Sequence, residues 1–555
     1  MTSKCVPQQS SAQAVQDRGE KTSISATRRQ VICLALLIGL SALLNGIVAA
    51  KMSKTTDESQ HLRYGIHILQ GQPDRHYKGY FDSQMPISAL NAVPGALASY
   101  LAEHNLFPRL SAMLSGLGAE RFPTILATLA LNLLVYFWAF DLYGAEAALA
   151  ACFLSVISPS LIAHGTLVTT DMYHALGVVA ALYFFRRFLL QPSTAHAIMS
   201  SLVLALAQIT KPFALSLYAV VGVVLTLLIF RRSTRASLTP KRVIVFAAIA
   251  CASFLAIINV AYCFDRTFMP ISSYAFESTS FLRLERSHHL RSVPVPFPYP
   301  FLQGLDMASH DEQIGRTFGN VYLLGNLRYA DDQTFHGFKS YYAVAIFFKE
   351  PIALLLLFLC GLVWIFNNRT LLDFLSGEGL LLAAAAILFV WLSFFNRAQI
   401  GIRHILPVLA VETIIAGAAF THFSLKPRVH KLLLATLVLW MAVSVGSYFP
   451  NMIPYMNEWV HDRRFSYRIL ADSNLDWGQD TAVVDEFMRR NPDVILDPPA
   501  PQAGRILVRA NRLTDVDRWN PSLSYLSQHY QPVAQVGYAH FLFVLPAADL
   551  NSGKP

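Results

Sequence analysis

Eleven runs of mostly apolar residues, each about the length of a helix that crosses a ~30 Å hydrocarbon layer, leave this chain few folds to choose from. They lie near 31–50, 121–140, 145–163, 171–190, 196–211, 213–230, 242–263, 343–366, 378–396, 402–422 and 430–449. Backbone in lipid must satisfy its own hydrogen bonds, so each run is expected as a transmembrane helix. Composition agrees, with 54% hydrophobic and only 14% charged residues. The boundary at Thr210-Lys211-Pro212 reads two ways, because a proline there either ends one helix or kinks a longer one.

A net charge of +9 does not point to nucleic acid, because the basic residues fall in short clusters between apolar runs. With the N-terminus inside, the inner loops carry Arg186 and Arg187, then Arg231, Arg232, Arg235, Lys241 and Arg242, then Arg369, then Lys426, Arg428 and Lys431. The short outer loops carry only Lys211, Arg397 and Arg403. This alternation predicts a disordered cytoplasmic tail over 1–27, a transmembrane domain over 28–449 with outer loops at about 51–120 and 264–342, and an extracytoplasmic domain over 450–555. The first run is read as a retained helix, too long for a signal peptide.

Within the first outer loop, Ile87 to Val93 and on to Leu101 reads as interfacial helix. Pro294, Pro296, Pro298 and Pro300 predict an extended, rigid piece. The tail shows strand-like pieces at Arg505–Arg509 and His540–Leu545 and a helical piece near Thr481 to Arg490, which predicts a small α/β domain. The six cysteines give neither a disulfide framework nor zinc-ligand spacing.

Residues able to carry chemistry gather on the predicted outer face. Asp57 and Glu58 follow the first helix, where a carboxylate pair suits a general base, or alternatively caps an interfacial helix. Asp171 opens the fourth helix on the same face, as a second acid or a cap. Lys211, Arg403 and His404 supply cations there, or alternatively snorkel to the interface. Carboxylates facing cations suit transfer from a phosphate leaving group, in which a carboxylate takes the acceptor's proton and cations take up charge developing on phosphate. No phosphate-cradling glycine loop supports a nucleotide donor, and a membrane-soluble one fits better. No cofactor or metal is expected; His288-His289 reads as a solvated loop pair.

Asp57-Glu58, His164-Gly-Thr-Leu-Val-Thr-Thr-Asp171-Met and Gly401-Ile-Arg-His-Ile-Leu-Pro407 together resemble the GT-C superfamily of integral-membrane glycosyltransferases. The likeness is to glycosyltransferase family 39, which holds the protein O-mannosyltransferases and the lipid A aminoarabinose transferase. Pro298-Tyr-Pro-Phe-Leu-Gln-Gly-Leu-Asp306, Lys349-Glu-Pro-Ile-Ala-Leu354 and Asp472-Ser-Asn-Leu-Asp-Trp-Gly-Gln-Asp480 resemble a bacterial group within it.

The resemblance implies a GT-C fold and a polyprenyl-phosphate sugar donor used on the non-cytoplasmic side, in a bacterial inner membrane. It implies Asp57 as catalytic base, Glu58 shaping the acceptor site and Asp171 as the second acid, with in-line displacement and inversion at the sugar. Lys211, Arg403 and His404 would face the donor phosphate. The acceptor would be a protein, lipid or glycan. Family members often carry Lys-Pro-Pro or His-Pro-Pro in the first outer loop, where this chain has Gln84-Met85-Pro86, and Gln84 hydrogen-bonds without neutralising a phosphate. Asp472, Asn474, Asp476, Trp477 and Asp480 would bind acceptor, Trp477 by stacking, or form a structural turn. A transporter or flippase, or a non-catalytic binder of lipid-linked sugar, are the rival readings; the absence of an inverted repeat and of paired broken helices disfavours the first.

Overall fold

Helix covers each of the eleven runs in the computed structural model, which describes residues 28–74, 85–230, 238–314, 320–329, 334, 337–517 and 522–547. Six helices are long and apolar enough to cross a membrane alone: Arg28–Lys51, Leu117–Tyr143, Asp171–Leu190, Pro240–Ala261, Ile402–Leu425 and Arg428–Gly446. Tyr341–Lys349 and Ile352–Asn368 together are long and apolar enough for a further crossing, but they meet at an angle of 109°, as a broken span or a re-entrant loop would. The bend follows from Pro351, which lacks an N–H and pushes Glu350 into an extended conformation at ψ 140°. Ala145–Val156, Thr194–Ala207, Pro212–Leu228 and Glu378–Phe394 are shorter apolar helices. The chain is a polytopic, mainly helical integral membrane protein.

The open boundary is an ending. Thr194–Ala207 stops, Lys211 is extended (φ −154°, ψ 151°) because a proline follows it, and Pro212 opens a 3-10 turn that runs into Ser216–Phe230. The proline-rich stretch corrects one expectation. Val293 to Pro298 is non-helical, as predicted, but Pro300 sits in the first turn of Tyr299–Ile314, where its missing N–H costs nothing. Short helices Glu58–Leu69, Ala89–Glu103 and Pro108–Leu114 occupy the loop expected to hold interfacial helices.

Burial sorts the helices into a centre and a rim. In the most apolar stretch of Ile402–Leu425, 94% of residues are buried against neighbours, whereas the corresponding stretches of Arg28–Lys51 and Arg428–Gly446 have 17% and 22% buried and present their apolar faces outward. Water provides no drive between helices inside lipid, so close approach and polar contacts hold them. A side chain at Gly361 would lie 2.1 Å from the Ile415 carbonyl oxygen, which is why only glycine fits where these two helices cross. Asn132 donates to Ser41 Oγ (2.9 Å) and accepts from Ser155 Oγ (2.6 Å), tying three helices together.

The helix Leu117–Tyr143 has Arg121 near one end and Asp141 near the other, about 30 Å apart at the rise of an α-helix. Asp141 takes Arg187 (3.0 Å) and Arg186 (3.5 Å) from the far end of Asp171–Leu190. Asp171 therefore stands at the Arg121 end. The tail packs at that end too, with its strands β1 (Val494–Leu496), β2 (Gly504–Arg509), β3 (Ala534–Val536) and β4 (His540–Leu545) in the order β1-β2-β4-β3. The β1–β2 pair is parallel and the others antiparallel, and Thr481–Arg490 is helical.

Candidate active site

Asp57 ends the loop that leaves the first helix and is the N-cap residue of Glu58–Leu69, yet its side chain caps nothing. Its Oδ2 instead accepts from Arg403 Nη1 at 2.9 Å, across 346 residues of chain, and the side chain stays 26% exposed. Arg403 Nη1 also lies 3.9 Å from Asp171 Oδ2, and Asp171 Oδ1 pairs with Lys211 Nζ. Four residues from four separate elements thus form one chain of alternating charge, Asp57–Arg403–Asp171–Lys211. Its formal charge is zero, which is how charges so nearly buried are tolerated.

Local sequence explains each placement. Asp171 is the first residue of its helix and Arg403 lies in the 3-10 turn Ile402–Ile405, entered through Gly401. Gly401 has φ 153°, and a side chain there would meet Ser473 Oγ at 2.3 Å, so glycine is required on both counts. His404 borders the cluster, with Nδ1 3.4 Å from the Tyr342 hydroxyl.

Glu58, expected to shape the acceptor site beside Asp57, turns away from this cluster and pairs with Arg121 instead. It is fully buried and both oxygens are occupied: Oε1 by Arg121 Nε (2.8 Å) and the Val168 N–H (3.0 Å), Oε2 by Arg121 Nη2 and the Thr55 N–H (both 2.8 Å). Arg121 spends its remaining donors on the carbonyls of Ala49, Met52 and Ser53, closing the end of the first helix. A carboxylate so enclosed holds a loop and has no lone pair to offer a substrate.

Other predicted residues divide similarly. Asn474 bridges inward, accepting from the Ile402 N–H (3.0 Å) and donating to the Tyr341 hydroxyl (2.9 Å). Asp480 is the N-cap residue of Thr481–Arg490, buried against Gly537, and burial with Asp476 nearby pushes its carboxyl well above the ordinary range. Asp476 accepts from the Gly478 N–H at 3.3 Å. Asp472 lies on the site side, in a left-handed conformation (φ 56°). Burial raises its carboxyl to about 7, an effect opposed by Arg403 and reinforced by Asp57. The Trp477 ring is covered by the Arg403 guanidinium at 4.2 Å. Gln84 lies outside the described residues.

Three neighbours had no role assigned from the sequence, although His164 opens one of the quoted motifs. Arg121 carried a signal, being an arginine inside an apolar run. His61 on Glu58–Leu69 is buried within electrostatic reach of both acids and both cations, and burial lowers it to about 4, so it is neutral. His164 packs its ring 5.9 Å from Trp477. Several buried polar atoms in these same segments have no hydrogen-bond partner among the described residues: His164 Nδ1, Thr169 Oγ1, Thr170 Oγ1, His174 Nε2 and Arg403 Nε. Such a concentration marks a place made for polar chemistry. Among the described residues, no group of three or more His, Cys, Asp or Glu is arranged to hold a metal ion.

Comparison with known proteins bears on this end of the molecule. Residues 104–257, which include Arg121, Asp171 and Lys211, match the model of the family described as dolichyl-phosphate-mannose-protein mannosyltransferase. The chain is similar there to GT-C glycosyltransferases, as its motifs indicate. Among solved structures, ArnT from Cupriavidus metallidurans bound to undecaprenyl phosphate aligns at 13% identity and a TM-score of 0.45, over 92% of this chain and 97% of that one. The Archaeoglobus fulgidus oligosaccharyltransferase in the apo form aligns at 14% and 0.46, over 82% of this chain and 58% of that one. The archaeal oligosaccharyltransferase AglB from the same organism, in complex with an inhibitory peptide and a dolichol-phosphate, aligns at 14% and 0.44, over 80% and 58%. No match is found among the curated proteins.

Proposed function

We propose that this protein is a glycosyltransferase that moves a sugar from a polyprenyl-phosphate carrier to an acceptor hydroxyl or amine on a protein, lipid or glycan. The observation that carries the reading is the meeting of Asp57, Arg403, Asp171 and Lys211 in one charge-balanced cluster at one end of the bundle. Asp57 is the base, because it is the partly exposed acid of the four and its neighbour Glu58 is saturated.

The acceptor oxygen or nitrogen attacks the anomeric carbon and gives its proton to Asp57, while the bond from that carbon to the phosphate oxygen breaks and the electron pair leaves with phosphate. Inversion follows from the in-line geometry. Arg403 and Lys211 take the charge gathering on the phosphate, with His404 beside them. Both cations are paired with acids in the resting protein, so an arriving phosphate competes for Arg403 and frees Asp57 for the proton. Donor binding thereby prepares the base.

In this reading residues 28–449 form the catalytic membrane domain, 450–555 an extracytoplasmic domain, and the cluster faces away from the cytoplasm of a bacterial inner membrane, with the N-terminus inside. The test is release of polyprenyl phosphate from synthetic polyprenyl-phosphate sugars by purified protein, wild type against Asp57→Asn. Release that vanishes in the variant supports the reading; release unchanged by it removes Asp57 from the mechanism, and no release with any donor and acceptor overturns it.

A further inference from the structure

Asp57 and Arg403 approach each other from loops far apart in sequence, and attraction between two flexible side chains does not by itself fix their geometry. One segment touches both loops. Thr56, directly before Asp57, donates its N–H to the Trp477 carbonyl (3.0 Å), and its hydroxyl reaches the same oxygen (3.3 Å). Ser53 N–H donates to the Gln479 carbonyl (3.0 Å), and Ser53 Oγ accepts from Ala482 N–H (3.0 Å). On the other side Ser473 Oγ donates to the Ile400 carbonyl and Asn474 Oδ1 accepts from Ile402 N–H, bracketing Gly401 just before Arg403.

The same segment is itself anchored twice. Lys349 donates its ammonium to the Asn474 carbonyl (2.7 Å) from the bent helix pair, and Asn511 in the tail accepts from Asp472 N–H (2.8 Å) and donates to the Asp476 carbonyl (3.0 Å). Between these ties the Trp477 ring lies flat enough under Arg403 to bring the guanidinium carbon within 4.2 Å of its centre, and the ring is only 5% exposed. A ring so placed is already stacked, which leaves that face closed to an acceptor sugar.

We infer that Trp477 is a positioning residue, holding the Arg403 guanidinium against Asp57 through its ring face, and that Asp472–Asp480 is the brace joining the two catalytic loops. The inference rests on the reading of Arg403 as the cation that meets the donor phosphate. An arginine gives up several rotatable bonds to stay in one place, and an indole face beneath it removes most of the alternatives before phosphate arrives. The brace also links the strand-bearing part of the tail to the site, since Asn511 fixes the segment that carries Trp477.

The test is a double-mutant cycle on full-length protein in detergent, reading the affinity for undecaprenyl phosphate. Trp477→Ala is expected to weaken binding roughly tenfold, and Trp477→Phe, which keeps a ring face, no more than about threefold. In the Arg403→Ala background, Trp477→Ala is expected to add less than about twofold, because its target is gone. A merely structural tryptophan would cost as much with Arg403 absent, so equal losses in both backgrounds overturn the inference, as does Phe behaving like Ala. Should Trp477→Ala fail to fold, Trp477→Leu, bulky but without a π face, replaces it with the same expectations. If Arg403→Ala weakens binding and the Trp477 variants do not, this inference alone falls. If Arg403→Ala leaves binding unchanged, the phosphate role of Arg403 falls, and the positioning role with it.

Discussion

Two carboxylate–arginine pairs begin at adjacent residues and end in opposite conditions. Glu58 and Arg121 are sealed, with side chains 0% exposed, doubly hydrogen-bonded and surrounded by backbone groups that use the remaining donors. Asp57 and Arg403 share a single contact, Asp57 is 26% exposed, and Arg403 Nε has no hydrogen-bond partner among the described residues. The sealed pair has every donor and acceptor occupied, so any change breaks something; the open pair has capacity left for a ligand. Sealing suits a joint, and spare hydrogen-bonding capacity suits chemistry.

Breaking the sealed pair is the largest expected effect. Arg121→Met leaves Glu58 buried and unpaired and frees the carbonyls at the end of the first helix, and is expected to cost about 3–5 kcal/mol of stability, read as a lowered thermal midpoint in detergent. A midpoint within a degree or two of wild type would mean the pair contributes little.

The smallest expected effect is at Asp472, on the open side. Its carboxyl is raised to about 7 from an ordinary 3.8, so the folded state keeps a proton that the unfolded chain gives up. Stability should therefore fall as pH rises from about 4 to about 7, and the penalty is fully present above that. Asp472→Asn is expected to flatten this slope, checked by thermal midpoints from about pH 5 to about pH 8; an unchanged slope would assign it to another group.

Legibility in the sequence followed the range of the interaction. All eleven apolar runs are helical because length and hydropathy act within one segment, but 145–163 and 343–366 each break into two helices, at Ser158-Pro159 and at Pro351, and the tail strands at Gly504–Arg509 and His540–Leu545 and the helix Thr481–Arg490 were marked by their own periodicity. Pro300 misled because proline in a first turn and proline in an extended piece look alike without the helix that follows. Asp57, Asp171, Lys211 and Arg403 could be assigned to one end of the bundle by counting helices, but not to one another. The partner of Glu58 lies 63 residues away, and the arginine over Trp477 comes from before the last span, so both pairings are decided by packing alone.

Whether the adjacent acids have separate duties is decided by one paired measurement: release of polyprenyl phosphate from a polyprenyl-phosphate sugar by Asp57→Asn and Glu58→Gln, each normalised to its monodisperse folded fraction, with thermal midpoints taken alongside. Asp57→Asn is expected to lose about a hundredfold to ten-thousandfold in turnover with its midpoint kept, and Glu58→Gln to lose midpoint while its folded fraction turns over within about tenfold of wild type. Equal losses of turnover in both, or turnover preserved in Asp57→Asn, would contradict a division of duties between the two acids.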